Sequence, residues 1–461
     1  MTQFTPSRRR LLQWGASAPV LAALGACAHG GVVGAAKATA KLRLLAISDL
    51  HSSYTRIAPL LAAFRREVRD NPAPHLIVVN GDSFEHGNTV SVRSEGAVDW
   101  AFMAELPKIA PTVFNIGNHD NDLTPELHTV IARMKALGLT VVSNIIDSRT
   151  GQPYTEDSAV LSIGGETLRI AALGTPSINT YPVESREWLT IPAPVEWAQA
   201  NLPRLLAGDG LKLVLSHVGV VDERQYLSLL PQGAIMIGGH NHLLFTHQEG
   251  ASAFAHPGRW GETYVVAEYG ADGVASARIQ QVAATDEADA ALKSLLDATL
   301  AAHLTDAERA ILGHNPRALT LGETGRKISQ GFAEATGADW GFIGLTTLGT
   351  GLKGGAVDQF HFDEVVRFEG RLMVAEIDAA RMPALLKYCN QDEPMSIWDM
   401  TGDFPFAAPR RDLETGKARL KLVTTDWCAR NQSKYFGTTD LEWVDVPSDG
   451  VKAVARKALL G

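Results

Sequence analysis

Apolar residues fall in short, dense runs along the first two-thirds of the chain, and each run stops at a turn residue or a polar cluster. Residues 41–48 bring Leu42, Leu44, Leu45, Ala46 and Ile47 into close succession, which predicts a strand buried on both faces. Residues 54–70 change to helical spacing with interleaved charge, and residues 75–80 return to a short apolar run. Similar runs follow at 112–116, 140–143, 168–174, 211–216 and 234–237. Strands separated by helices predict an α/β layered core. Polar residues sit just beyond the strand ends, where loops present functional groups at the carboxyl edge of a sheet.

The pattern changes after residue 284. Residues 285–312 are rich in Ala, Leu and Asp with helical periodicity and no strand signal, so a helical linker is expected over 285–315. Residues 316–461 mix predicted helices (322–336, 378–389) with short strands (372–377, 420–425), which reads as a second, α+β domain. No fixed-period repeat is present. A length of 461 residues agrees with two domains.

Composition narrows the partners. With 45% hydrophobic and 20% charged residues, the chain is neither disordered nor fibrous. Its formal net charge is -9, and loss of the first 26 residues with Arg8, Arg9 and Arg10 would leave about -12. That balance argues against a nucleic-acid duplex, which needs a basic face. A phosphate substrate stays open, because bound cations can reverse the local field.

Residues 1–27 read as an export signal. Ser7-Arg8-Arg9-Arg10-Leu11-Leu12 is a twin-arginine pattern, and the apolar stretch 14–26 is short for a membrane span. Leu24-Gly25-Ala26-Cys27 has the form of a lipobox, while Ala26-Cys27-Ala28 has the form of an ordinary cleavage site; both readings stand. The expected location is therefore the periplasm or the cell surface, with membrane contact only through a lipid on Cys27. Only Cys389 and Cys428 remain after Cys27, enough for one disulfide but not for a thiolate metal cluster.

Five clusters carry the candidate chemistry: Asp49-Leu50-His51, Gly81-Asp82, Gly117-Asn118-His119-Asp120, Ser216-His217 and Gly238-Gly239-His240-Asn241-His242. Each follows an apolar run. Any one of them alone is more often a loop accident than a site; five at successive strand ends are a different matter. Carboxylate, imidazole and amide oxygen together suit Mn, Zn or Fe better than Mg or Ca alone. In an extended segment Asp49 and His51 would share a face, as would His240 and His242, so each pair can reach one ion. Asp82, alone in its cluster, is the natural carboxylate to bridge two ions.

This order of motifs resembles that of the calcineurin-like metallophosphoesterases over roughly residues 41–280, within an expected domain of residues 41–284, and the added C-terminal half is similar to the 5'-nucleotidase branch. The resemblance implies a four-layer α/β/β/α sandwich followed by the second α+β domain. It also implies one ion held by Asp49, His51, Asp82 and His242, and a second held by Asp82, Asn118, His217 and His240. His119 would stand beside the phosphate as acid or charge stabiliser, oriented by Asp122, with Asp120 as the competing partner. Hydrolysis by water activated between two divalent metal ions follows, and the absence of a G-x-S-x-G elbow agrees with that.

The C-terminal half resembles the family less closely. Thr425-Asp426-Trp427 followed by Tyr435-Phe436 is similar to the region whose aromatic stacks on a nucleobase, which points to Trp427 as a substrate contact or else as domain core. Leu348-Gly349-Thr350-Gly351-Leu352-Lys353 stands where the family carries a glycine-rich run ending in arginine, leaving Lys353 as a point charge for phosphate. The expected substrate is a small phosphate monoester, foremost a 5'-nucleotide. Cyclic nucleotides, nucleotide sugars or a sulfur ester on the same metals are the alternatives, and an idle binding protein is the reading from another class.

Overall fold

The computed structural model describes residues 40–461 apart from residue 415. The twin-arginine pattern and Cys27 lie outside the described residues. Two six-stranded sheets form the centre of the first domain. The first runs, edge to edge, Ala275–Gln281, Thr263–Tyr269, Leu42–Ile47, His75–Asn80, Thr112–Asn115 and Thr140–Val142. The second runs Leu244–Glu249, Ser252–Pro257, Ile235–Gly238, Leu211–His217, Glu166–Gly174 and Ser158–Ile163.

Side-chain alternation explains why these strands read as continuous apolar runs. Leu42, Leu44 and Ala46 join Val78, Ile170, Leu213, Leu215 and Ile237 in the layer between the sheets. Leu45 and Ile47 face the opposite way, into a core shared with the helices Ile57–Asp70, Ala97–Ile109 and Leu127–Ala136. Ala171, Leu173 and Val214 on the outer face of the second sheet pack with Ala198 and Leu202 of the helix Pro194–Leu205. The result is an α/β/β/α sandwich in which strands are buried on both faces.

Parallel pairing then gathers the polar clusters. Leu42–Ile47, His75–Asn80 and Thr112–Asn115 run parallel, with Ile47 opposite Val79 and Asn80 opposite Asn115. Leu211–His217 and Ile235–Gly238 are also parallel, with Ser216 opposite Gly238. All five clusters therefore leave their strands at the same edge of the sandwich, as the carboxyl-edge rule requires.

The linker is a helix, Ala290–His303, capped by Asp289 accepting from the N–H of Leu292, followed by the short helix Asp306–Arg309. Leu292 and Leu296 pack into the first domain. Contrary to the strand-free expectation, Ile311–Asn315 is a strand, paired antiparallel with Gly355–Asp358. The second domain is a five-stranded sheet in the order Pro405–Pro409, Trp340–Gly344, Arg419–Thr425, Leu372–Asp378 and Val444–Asp445. The helix Leu321–Thr336 starts at a Thr320–Glu323 capping box and ends at Gly337 with φ +65°. The helix expected over 378–389 is shorter, a 3-10 turn Ala379–Arg381 and a helix Met382–Leu386. Asp378 is held in the strand opposite Arg419, and Pro383 fixes the start of the helix.

The domains share one apolar core: Val220, Tyr226 and Leu227 cluster with Ile397, Met400 and Phe404. Arg224 Nη1 donates to the carbonyls of Ile397, Trp398 and Met400 at 2.8, 3.0 and 2.8 Å. Cys389 and Cys428 are both buried and unpaired, so the second domain is not closed by a disulfide. Among the described residues no helix is long and apolar enough to cross a membrane.

Candidate metal centre and substrate cavity

Two buried asparagines pin the sheets together at the site edge. Asn80 Nδ2 donates to the carbonyls of Ser216 (2.9 Å) and Ile237 (3.1 Å), and Asn115 Nδ2 donates to Asn80 Oδ1 (3.0 Å) and Leu173 O (2.9 Å). Beyond them the chain turns sharply. The expectation that Asp49 and His51 lie on an extended segment is not met: φ is +54° at Asp49, +48° at His51, +55° at Asp82, +75° at His240 and +59° at His242. Non-glycine residues in this left-handed region cost on the order of 1–3 kcal/mol each, a cost that collects at functional sites. Backbone bonds hold the turns, with Asp49 N–H on Gly81 O and His51 N–H on Asp82 O, both at 3.0 Å.

The turns bring all seven expected ligands together. Nε2 of His51 and Nε2 of His242 converge at 3.0 Å, with Asp49 Oδ1 4.0 Å from the first and 3.7 Å from the second. Asp82 Oδ2 lies 3.1 Å from His217 Nε2 and 3.9 Å from His51 Nε2, between the two groups. His240 Nδ1 meets Asn118 Oδ1 at 2.9 Å, and ligand atoms of Asp82, His217 and His240 lie within 4.8 Å of one another. His217 Nδ1 is tied to Asn80 O at 2.7 Å, which turns its Nε2 toward Asp82.

Electrostatics agree with a cation site. Burial alone would raise the Asp82 carboxyl, but His217 and His119 hold it well below the usual carboxylate range. Burial, together with the charge of Asp82, pushes Asp49 up. Burial opposes a proton on His217, yet Asp82 and Asp49 push its pKa up to about 10. His51, His240 and His242 are pushed down, first by burial, then by Arg367, His217 and Arg259 respectively. Two buried carboxylates, Asp49 and Asp82, together with the imidazoles of His51, His217, His240 and His242, converge as a donor set that fits divalent cations.

Two aspartates of the third cluster divide the work. Asp120 accepts the N–H groups of Gly117, Ser83 and Asp82 at 2.6, 2.8 and 3.1 Å, which staples two site loops together. Asp122 Oδ2 meets His119 Nδ1 at 2.9 Å. His119 is pushed up to about 10: burial works against the proton, but Asp122 and Asp82 outweigh it.

A cavity of about 370 Å³ opens on this centre. Asp82, Asn118, His119, His240 and His242 of the first domain line it together with Arg367, Phe368, Trp427, Arg430, Lys434 and Tyr435 of the second. Trp427 is thus brought to the cavity. Lys353 does not line it. The run that carries it docks the domains instead: Leu348 and Leu352 are fully buried, Gly349 O accepts from Arg259 Nε (3.0 Å), and Thr350 Oγ1 donates to Glu262 (2.6 Å). Arg367, alongside Glu85 and Trp260, is the cation that reaches His51. Sequence pattern assigned no site role to these three: Glu85 lies three residues beyond Asp82, but Trp260 and Arg367 adjoin none of the five clusters.

Residues 42–244 match the family model described as calcineurin-like phosphoesterase. A curated relative, the uncharacterized metallophosphoesterase YunD of Bacillus subtilis, is 22% identical over 207 residues, which is 44% of this chain and 44% of that protein. The chain thus matches under half the length of that relative. Among solved structures, the fold is similar to a 5'-nucleotidase precursor from Thermus thermophilus (TM-score 0.59, 20% identity, 91% of this chain and 96% of that one). It is also similar to the sulfate thiohydrolase SoxB from Thermus thermophilus (0.62, 16%, 91% and 94%). A 5'-nucleotidase from Candida albicans is a third (0.59, 11%, 91% and 98%). Identities this low establish a shared two-domain fold.

Proposed function

We propose that this chain, whose residues 42–244 form a calcineurin-like phosphoesterase domain, is an exported phosphomonoesterase that uses two divalent ions and acts foremost on 5'-nucleotides. The carrying observation is the pair of donor groups meeting at Asp82, beside a cavity that aromatic and basic residues of the second domain also line. Asp49, His51, Asp82 and His242 would hold one ion; Asp82, Asn118, His217 and His240 would hold the other. When bound, such ions lower the pKa of a shared water and polarise a phosphoryl oxygen.

The chain's own residues supply the rest. Asp82 and Asp49 supply the buried carboxylates. His119, kept protonated by Asp122, gives its proton to the leaving oxygen as the ester bond to phosphorus breaks. Arg430 and Lys434 on the cavity wall attract an anionic substrate, and Trp427 offers a flat face to a base. The twin-arginine pattern in residues 1–27 supports export to the periplasm or cell surface, with Cys27 as the lipid site if the lipobox is used.

The test is a substrate screen of purified, Mn²⁺-loaded protein. Turnover of 5'-nucleoside monophosphates well above cyclic nucleotides, nucleotide sugars and a thiosulfonate ester is the expected result. No turnover of 5'-nucleotides with metal confirmed bound would overturn the substrate reading, and preferential cleavage of the sulfur ester would replace it.

A further inference from the structure

On the side of His51 away from the convergent ligands lies a second buried group of charges. Glu85, three residues beyond Asp82, is 3% exposed and sets Oε2 3.1 Å from His51 Nδ1. Its other oxygen accepts the N–H of Gly87 at 2.9 Å. Arg367, from the second domain and also buried, forms an ion pair with Glu85 Oε2 and brings Nη2 to 3.3 Å from the same His51 nitrogen. Its guanidinium lies over Trp260 (4.6 Å) and Phe368 (4.7 Å), and Trp260 in turn stacks on the His51 ring at 4.5 Å. Nη1 donates to Thr346 O at 3.3 Å.

Each contact constrains the next. An imidazole whose Nε2 faces a cation needs an acceptor at Nδ1–H to fix its tautomer and ring angle, and a carboxylate is the strongest such acceptor. A buried carboxylate in turn needs a cation or several donors. Glu85 has only the Gly87 N–H besides His51 and Arg367. His51, Glu85 and His119 also place ligand atoms within 4.8 Å of one another, as a third metal site would, but Arg367 already brings a positive charge to that spot.

We propose that Glu85 and Arg367 are positioning residues for the metal centre: Glu85 orients His51, and Arg367 holds Glu85, so that the second domain completes the ligand set of the first. The inference rests on the reading of His51 as a metal ligand. It makes the docked position of the second domain a condition for tight binding of one ion, not only a wall for substrate. Thr55 Oγ1 on Glu364 (2.8 Å) and Arg259 Nε on Gly349 O (3.0 Å) hold the interface on either side.

The experiment is calorimetric titration of Mn²⁺ into metal-stripped protein, which reads binding without turnover. Wild type should take two equivalents. Glu85→Gln and Arg367→Met should each weaken one equivalent by about 10- to 100-fold and leave the other unchanged. Arg367→Lys should recover part of the loss, and the double variant should be no weaker than the worse single one, since both act through one contact. If Glu85→Gln lacks a thermal unfolding transition, Glu85→Asp reads the same affinity with the carboxylate retained but withdrawn. Wild-type affinity for both equivalents in a folded Glu85 variant would overturn the proposal, as would a third equivalent in wild type. His51→Ala separates the two levels: if it keeps both equivalents, the metal-centre reading falls with the proposal, whereas loss of one there but not in the Glu85 variants sinks the positioning role alone.

Discussion

Asp122 Oδ2 lies 2.9 Å from His119 Nδ1 and accepts the backbone N–H of His86 at 2.8 Å, so the carboxylate that orients the imidazole is itself held in place. The pair sets the direction of a pH effect. His119 acts in its protonated form, and despite burial its pKa is pushed up to about 10 by Asp122 and then Asp82. Asp122→Asn removes the larger of these charges, the pKa falls, and the acid is lost at lower pH. The alkaline limb of the kcat profile should therefore move acidward, with kcat near neutrality down about 10²-fold. A profile of Mn²⁺-loaded enzyme on an aryl phosphate checks it; an unmoved limb would remove Asp122 from the mechanism.

Asp82 stands between the two donor groups, with Oδ2 3.1 Å from His217 Nε2 and Oδ1 accepting the N–H of His119 at 2.8 Å. No other carboxylate among the described residues reaches both groups as closely. Asp82→Ala should release both ions on dialysis and abolish turnover, whereas chelator treatment of wild type should be reversed by Mn²⁺. Metal analysis after dialysis decides the matter, and a variant that kept both ions would refute the bridging role.

These two predictions draw on features that were legible in the sequence, and the reason is physical. Strands buried on both faces must be apolar throughout, so Asp49, Asp82, Asn118, His217 and His240 stand out where the runs end. Parallel pairing brings such ends to one edge without any further signal. Side-chain direction was less legible: the period-2 argument for Asp49 and His51 assumed extended backbone, and both residues are left-handed. Contacts between domains were not legible at all. Arg367 and Glu85 meet only because the second domain docks over the first, and the run 348–353 is spent on that docking, which takes Lys353 away from the cavity.

Gly81 makes the turn before Asp82 with φ +83°, and a Cβ there would come 2.5 Å from His217 Nδ1 and 2.8 Å from the backbone of Gly117. Gly81→Ala combines left-handed strain with a collision against backbone, costing on the order of 3 kcal/mol. Because Gly81 O also accepts the N–H of Asp49 at 3.0 Å, the same shift disturbs ligands of both groups. Denaturant unfolding of the metal-stripped protein should show the lost stability, and Mn²⁺ titration should show weaker binding. Unchanged values for both would mean that the loop relaxes freely.

Trp427 lines the cavity while its Nε1 donates to Tyr435 Oη at 3.3 Å, so it borders substrate space and is held by a hydrogen bond. Stacking on a base is worth about 1–3 kcal/mol. Trp427→Ala should therefore raise KM for a 5'-nucleotide by about tenfold or more, leaving kcat and KM for glycerol phosphate, which has no ring, near wild type. Trp427→Phe should restore most of the nucleotide affinity. The opposite pattern, equal losses on both substrates together with a lowered Tm, would make Trp427 part of the domain core and move base recognition elsewhere on the wall formed by Phe368 and Tyr435.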